Sequence, residues 1–298
     1  MAQRLNGKVA VVTGSGRGFG RAVALAYASE GARLVAVARS RDELLQTEAM
    51  IRESGAEAHA VQADLATDDG LNRLVGEAEG VFGGVDVLVN NAAANPWLTL
   101  EEMTLSHWDR VMAVNLRAPF ALSKTLALWM AKRGGGSIIN VSSRSAEQGF
   151  VAEAAYCPSK YGLEGLTQCL ALELKRLNVA VNSLNVAATP SRRLKPTGLT
   201  LREAEAMPMD VQSLYADDWG MVKHFADAWT FLALQDGEGI TGQRLSTGEL
   251  ARVLREEGEA AAYQRWRGKL TQAVYTPTPW PSKVRYQTPG GDWGELVF

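Results

Sequence analysis

Val9-Ala10-Val11-Val12-Thr13-Gly14-Ser15-Gly16-Arg17-Gly18-Phe19-Gly20 is the stretch that decides the fold. Residues 9–13 are apolar nearly throughout, the mark of a strand covered on both faces. Four glycines then crowd a turn, and a helical pattern runs over 18–30. A glycine-rich turn between an apolar strand and a helix lets backbone approach a pyrophosphate, whose charge meets the amides and the positive end of the helix. A glycine-rich turn by itself is only a turn; this position between strand and helix is what makes it a dinucleotide cradle.

Working outward, the same alternation repeats. Residues 33–38, 58–62, 85–90, 137–141 and 179–185 read as further strands, and helical patterns lie at 40–54, 67–82, 105–133 and 155–177. Such β-α alternation predicts an α/β fold: a Rossmann-like doubly wound parallel sheet of about seven strands, with right-handed crossovers. Ser40 and Glu43 have capping-box spacing, with Asp42 in the first turn, and Thr67 stands where the third helix needs a cap. Gly31 and Gly55 fall where helix ends favour a left-handed residue. A helix at about 221–236 and a last strand near 243–247 complete a domain over 1–248. Residues 191–220 read as a long loop. Residues 249–298 read as a C-terminal extension packed on the domain or on a neighbouring subunit, since it carries Tyr263, Trp266, Tyr275, Trp280, Tyr286, Trp293 and Phe298. Aromatic residues are depleted where no core forms. Within it, residues 276–281, TPTPWP, cannot form regular helix or central strand.

Composition narrows the class. A formal net charge of -2 and no long Lys/Arg run argue against a nucleic-acid or anionic-membrane partner. No apolar run approaches the ~20 residues of a membrane helix, and no signal-peptide pattern precedes the first strand. Two cysteines, Cys157 and Cys169, suit a reducing cytoplasm better than a disulfide framework and read as small, partly buried thiols. His59, His107 and His224 have no metal-ligand spacing, so no metal is expected. His107 reads as a surface or capping residue at the start of the 105–133 helix.

The glycine loop resembles the T-G-x-x-x-G-x-G of short-chain dehydrogenases/reductases, with Thr13, Gly14, Gly18 and Gly20 in the fixed places and Ser15, Arg17 and Phe19 between them. The resemblance covers about residues 5–247. Asp64-Leu65 after the third strand resembles the family's adenine contact. Asn90-Asn91-Ala92-Ala93 stands where the family has N-N-A-G, with Ala93 in place of glycine. NAD enzymes commonly place an acid about 20 residues past the glycines, on the ribose 2′-hydroxyl. Here the second strand ends in Arg39, which together with Arg17 can meet a 2′-phosphate through charge-assisted bonds. That pair favours NADP(H), with NAD(H) as the alternative.

The chemistry rests on Tyr156 and Lys160, four apart and so on one helix face. A phenol is a poor base near neutral pH, and a nearby ammonium favours its phenolate. Ser143 lies at the end of the fifth strand, where open α/β sheets place ligands. Asn115 lies inside the 105–133 helix, a position asparagine disfavours without a reason. The four together resemble the family's catalytic tetrad. The resemblance implies that Tyr156 protonates a carbonyl oxygen in reduction or takes the alcohol proton in oxidation, and that Ser143 hydrogen-bonds the same oxygen. It also implies that Lys160 holds the nicotinamide ribose and biases Tyr156, and that Asn115 supports Lys160 through an ordered water. Val186-Ala187 replaces the family's Pro-Gly after the sixth strand, and Thr189 is the remaining candidate there for the carboxamide or pyrophosphate.

The function expected is hydride transfer between a nicotinamide cofactor and a carbonyl or secondary alcohol. The pocket would be walled by the extension and by Met207, Met209 and Trp219, favouring a bulky apolar or aromatic substrate. The alternatives are an NAD-dependent alcohol dehydrogenase working in oxidation and a dinucleotide-binding sensor without turnover. Family resemblance implies a homodimer or homotetramer paired through helices 105–133 and 155–177. If the stripe Leu163, Leu166, Leu170 and Leu174 faces the sheet, Ala154, Cys157, Tyr161 and Glu164 are left for the partner.

Overall fold

The computed structural model describes residues 3–186, 225–272, 281–288 and 292–297. Seven parallel strands form one sheet: β1 Val9–Thr13, β2 Arg33–Ala38, β3 Ala58–Gln62, β4 Val87–Asn90, β5 Gly136–Ser142, β6 Val179–Asn185 and β7 Arg244–Ser246. Their spatial order is β3-β2-β1-β4-β5-β6-β7. The order reverses between β1 and β4, the switch point at which doubly wound sheets open a crevice for ligands. The seventh strand is shorter than the predicted 243–247, and β4 starts two residues later than predicted.

Apolar strands need covers on both faces, and two buried clusters supply them. One gathers α1 (Gly18–Ser29) and, from the C-terminal third, α7 (Ala226–Ala233), α8 (Thr247–Glu256) and α9 (Glu259–Trp266) against the sheet. The other packs α3 (Asp68–Phe82), α5 (Ala118–Lys132) and α6 (Tyr156–Leu174) on the opposite face. α2 (Arg41–Glu53) and α4 (Leu105–Met112) complete the wrap. At the amino-terminal edge of the sheet the buried Asp86 carboxylate accepts from Val9 N at 2.8 Å. It also pairs with both arms of Arg133 at 3.0 Å, tying β1 and β4 to the end of α5.

Several local readings change. The helix expected over 105–133 is interrupted by a π-helical turn at Ala113–Arg117, and Asn115 sits in it. Ser40 is the N-cap of α2, but its hydroxyl takes no capping hydrogen bond. Thr67 does cap α3, accepting from Gly70 N at 3.0 Å. Thr104 and His107 form a reciprocal capping box at α4. Cys157 is buried, whereas Cys169 is exposed rather than partly buried.

The boundary drawn at residue 248 falls inside α8. Leu250, Ala251, Val253, Ala262 and Trp266 are buried in the main core, so the first part of the extension, α8 and α9, packs on the domain. The reason is geometric: β7 is the last strand of the sheet, and α8 starts directly at its end to cover the face that α1 and α7 leave open. Beyond lies an antiparallel hairpin, β8 Lys283–Gln287 with β9 Trp293–Val297, whose Trp293, Leu296 and Val297 are exposed. His224, Met207, Met209, Trp219, Thr189, Tyr275, Trp280 and the TPTPWP stretch apart from Pro281 lie outside the described residues.

Candidate active site

The carboxyl ends of β1, β4 and β5 converge on one place. Thr13, closing β1, donates from Oγ1 to Val89 O and accepts from the backbone N–H groups of Asn91 and Ala92, both at 3.0 Å. Asn91 Nδ2 returns a bond to Thr13 O at 2.9 Å. This clamp brings the segment after β4 hard against the glycine loop, which is why glycine is needed there. Gly14 has φ +68°, and a Cβ on it would lie 2.9 Å from Ala92 Cα; a Cβ on Gly20 would lie 2.5 Å from Asn91 Nδ2. Both would force the loop and the strand end apart.

The start of α1 carries no side-chain cap, so the amides of its first turn are left for an anion. A pyrophosphate therefore fits the cradle made by Gly14, Gly18, Phe19 and Gly20. Ser15 does not take part through its own donors. Its N–H donates to Val37 O at 3.0 Å and its buried hydroxyl accepts from Val37 N at 2.8 Å, so it anchors the loop to β2 instead.

Tyr156 opens α6 and Lys160 follows one turn later. Lys160 is buried, with Nζ donating to Val141 O at 2.8 Å and lying 5.6 Å from the centroid of the Tyr156 ring. Burial lowers the Lys160 ammonium to about 8, opposed by the Glu164 carboxylate one turn on. Burial pushes the Tyr156 phenol up, the Glu153 carboxylate adds to the rise, and hydrogen bonding with Ser143 opposes it. At neutral pH the phenol thus holds its proton. Ser143 follows β5 directly, so the strand end fixes it beside Tyr156.

Asn115 is turned inward, with Oδ1 accepting from Ala94 N at 2.7 Å and Nδ2 donating to Ala94 O at 3.0 Å and Ser159 Oγ at 3.0 Å. The π-helical turn that interrupts the long helix is where it does so. Its carboxamide ties the segment after β4 to α6 immediately beside Lys160.

A short chain dehydrogenase family model matches residues 8–200. The chain belongs to this family. An uncharacterized oxidoreductase of Thermotoga maritima is 36% identical over 239 residues, 80% of this chain and 93% of that one. A metagenomic short-chain oxidoreductase solved with NADP is 32% identical at a TM-score of 0.66, covering 82% of this chain and 97% of its own. A 7α-hydroxysteroid dehydrogenase solved with NADH and 7-oxo glycochenodeoxycholic acid is 27% identical at a TM-score of 0.67, covering 82% and 94%. As a short-chain dehydrogenase/reductase, the chain is an NAD(P)-dependent oxidoreductase.

Against this family frame the remaining candidates divide. Arg17 is exposed and, among the described residues, its side chain makes a long ion pair with Glu43, 3.6 Å; Arg39 is exposed at the end of β2. Asp64 is committed to Arg110, at 3.1 and 3.2 Å, and to Ala66 N. Burial raises its carboxyl, but the Ala66 amide and the Arg110 and Arg39 guanidiniums hold it below the usual range. The Leu65 side chain faces the core, leaving only its backbone for an adenine. Ala92 is half-buried at the clamp. Val186 packs against the core, and Ala187 and Thr189 lie outside the described residues.

Sequence reasoning missed two charged groups that close around the site. Glu153 sits three residues before Tyr156, and its carboxylate accepts from Asn95 Nδ2 at 3.2 Å and from Ser145 Oγ at 2.6 Å. Arg244, on β7, donates to Glu164 Oε1 at 3.0 Å, to Glu147 Oε1 at 2.7 Å and to Ser143 O at 3.3 Å. Glu164 also accepts from Ser142 and Ser183. The Ser143 backbone is therefore braced from β7 and α6 together. Glu164, offered above as a contact for a partner subunit, is spent inside this network. The signal for Glu153 was present: it is the lone acid in the apolar run Val151-Ala152-Glu153-Ala154-Ala155.

Proposed function

We propose that the enzyme is an NADP-preferring carbonyl reductase or secondary-alcohol dehydrogenase, with Tyr156, Lys160, Ser143 and Asn115 as its working residues. The observation that carries this reading is the buried Lys160 ammonium beside the Tyr156 ring, at the end of the strand that delivers Ser143. The nicotinamide supplies or accepts the hydride when bound. Tyr156 holds a proton at its phenol oxygen and gives it to the carbonyl oxygen in reduction; in oxidation it takes the alcohol proton. Ser143 Oγ orients the same oxygen, and Lys160 Nζ grips the ribose and lowers the cost of the phenolate. Asn115 positions Lys160 by fixing Ala94 and Ser159 around it. Turnover of a panel of aromatic, steroidal and small aliphatic ketones and alcohols with each cofactor tests the activity. No turnover in the panel would favour the sensor reading.

The preference for NADP rests on Arg17 and Arg39. The Arg17–Glu43 pair is a surface contact worth ~0–1 kcal/mol, easily surrendered to a dianionic 2′-phosphate. Fluorescence titration should show NADPH bound at least about tenfold more tightly than NADH, ~1.4 kcal/mol. Equal affinities would overturn the preference. NAD is the competing reading, because Glu43 packs beside Gly16 and puts a carboxylate within reach of the loop. A bulky substrate is part of the proposal, in keeping with the steroid bound by the hydroxysteroid dehydrogenase neighbour. So is a cytoplasmic setting, which the exposed free thiol of Cys169 suits.

Assembly through the long helices is the last element. Leu163 and Leu170 are buried in the core, with Leu166 and Leu174 against it, so that stripe serves the sheet. The surface left is a groove of Met112, Leu116 and Phe120 around Gly162, with Leu166 at its floor and Asp109 and Arg117 at its rim, and Phe120 is 47% exposed. A second copy packed helix against helix would cover it. Light scattering at micromolar protein should give a dimer or tetramer, and Phe120→Glu should shift it toward monomer; a wild-type monomer removes the reading.

A further inference from the structure

Strands β5, β6 and β7 lie side by side at one edge of the sheet, and a single guanidinium spans their ends. Arg244 opens β7, yet its side chain reaches past β6 to the residue that follows β5. Nε donates to Glu164 on α6, while the terminal nitrogen serves both Glu147, in the turn after β5, and the Ser143 carbonyl. Each carboxylate gathers further strand ends. Glu164 accepts from Ser142 of β5 on one oxygen and from Ser183 of β6 on the other, the second at 2.6 Å. Glu147 accepts from Nδ2 of Asn185, the last residue of β6, at 3.2 Å. Arg244 is itself anchored from behind. Its backbone pairs with Ser183 in the ladder, and its N–H donates to Thr271 Oγ1 at 3.0 Å. The Arg244 and Glu164 side chains are largely shielded, at 24% and 15% exposure, so this is no solvated surface pair.

Ser143 needs such a brace because it has left the ladder. The register of β5 with β6 ends at Ser142 opposite Asn185, and Ser143 continues one residue beyond in extended conformation, φ −149° and ψ 164°. Two bonds then close a turn on it: Ser145 N donates to its Oγ at 3.1 Å, and Ala146 N to its carbonyl at 3.1 Å. Both donors belong to the turn, so they shape it without fixing where it stands relative to Tyr156 on α6. The bond that arrives at the Ser143 carbonyl from outside the turn is Arg244's. The same guanidinium holds Glu164, two turns along α6 from Tyr156. It therefore references the turn to the helix that carries the phenol.

We propose that Arg244 is a positioning residue of the reaction, setting the distance between the Ser143 hydroxyl and Tyr156 by fixing the Ser143 carbonyl to Glu164 of α6. This rests on Ser143 binding the substrate oxygen as above. Two groups that must meet one oxygen tolerate little relative drift: a misplacement of about 1 Å can cost about 10²-fold in rate. Arg suits the task because its planar fork offers several donors in fixed directions, here to two carboxylates and a carbonyl at once, which a lysine ammonium on a flexible stem does not reproduce. Since Thr271 holds the Arg244 backbone, the aim of Ser143 is referred through β7 to the segment that follows α9.

The test uses the whole chain and compares Arg244→Met, Ser143→Ala and the double variant. Met keeps the packing of the stem and removes the guanidinium. Arg244→Met should lose about tenfold or more in kcat, with NADPH affinity by fluorescence within about twofold of wild type. In the Ser143→Ala background the same substitution should cost less than about twofold, because the hydroxyl it aims is gone. Independently of turnover, hydrogen exchange at the Ser145 and Ala146 amides, which donate to Ser143, should quicken about tenfold in Arg244→Met, while the amides of β1 stay as protected as in wild type. A full loss persisting in the Ser143→Ala background overturns the proposal, as does a kcat loss matched by lost NADPH affinity or unchanged exchange at Ser145 and Ala146. If Arg244→Met does not fold, Arg244→Lys, which keeps the cation without the fork, enters the same cycle and the same exchange measurement under the same criteria. Should wild type turn over nothing in the panel, exchange still decides: quickened amides keep the brace while the proposed activity falls, and unchanged amides remove the brace as well.

Discussion

Tyr156→Phe should lower kcat by about 10²–10⁴-fold, the range that a positioned acid or base contributes, while leaving cofactor affinity almost unchanged. The phenol acts on substrate, and the ring that remains keeps its packing. Lys160→Ala should damage both quantities, since the ammonium grips ribose as well as biasing Tyr156. The pH dependence separates the two further, and its signs are opposite for activity and stability. Lys160 titrates at about 8 in the folded chain against an ordinary 10.5. As pH rises through about 8 the cation is lost, and kcat/KM should fall. Between about 8 and 10.5 the unfolded chain holds this proton and the folded chain does not, so stability contributed by Lys160 should rise there. A Tyr156→Phe enzyme retaining a substantial fraction of the wild-type rate would show that another group moves the proton. Alkaline kcat/KM and melting curves that move together would reject the Lys160 assignment.

The parts of the molecule legible in the sequence were those with a local cause. Buried strands announced themselves by apolar runs, and the glycine loop by the contact geometry that Gly14 and Gly20 satisfy. Tyr156 and Lys160 were legible because one helix turn places them. What escaped came from tertiary closure. Arg244 and Glu164 are 80 residues apart, and nothing in either neighbourhood signals the other. Ser145 to Glu153 is close in sequence, but only the left-handed turn at Ala152 aims the carboxylate. The π-helical turn at Ala113–Arg117 is followed by Pro119, which has no N–H to give the carbonyls before it, and within the turn Asn115 reaches Ala94 across the site. Ser15 stands inside the glycine motif, but its N–H and hydroxyl are engaged by Val37 of β2, a contact the motif does not signal. How far the extension enters the core was illegible for a related reason. The tail was judged by its aromatics and prolines, whereas the core is continued by Leu250, Val253 and Trp266 on two short amphipathic helices.

That last point yields a second large effect. A chain ending at residue 248 should fail to fold, while one ending at Thr271 should fold nearly as well as the whole. The shorter chain loses Leu250, Val253 and Trp266 from the core, along with Ala251 and Ala262. Fully burying a large apolar side chain contributes roughly 1.5–3 kcal/mol, so the three large residues alone rival the ~5–15 kcal/mol that holds a domain together. It also uncovers the outer edge of β7. Thr271 guards that edge, donating from N–H to Gly242 O at 3.0 Å, accepting at Oγ1 from Arg244 N at 3.0 Å, and accepting at its carbonyl from Gln168 Nε2 at 2.9 Å. Arg244 is the residue that braces Ser143, so the loss would reach the active site even if some structure survived. The chain ending at Thr271 keeps all of this and removes the hairpin, whose Trp293, Leu296 and Val297 are exposed. Circular dichroism melts of the two truncations read the difference directly. A cooperative melt from the chain ending at residue 248 would show that α8 and α9 are an accessory rather than core. For the chain ending at Thr271, kcat/KM on large and small substrates decides what the remainder does. Activity lost on large substrates alone would place the segment after Thr271 at the pocket; unchanged activity on both would remove it from the site.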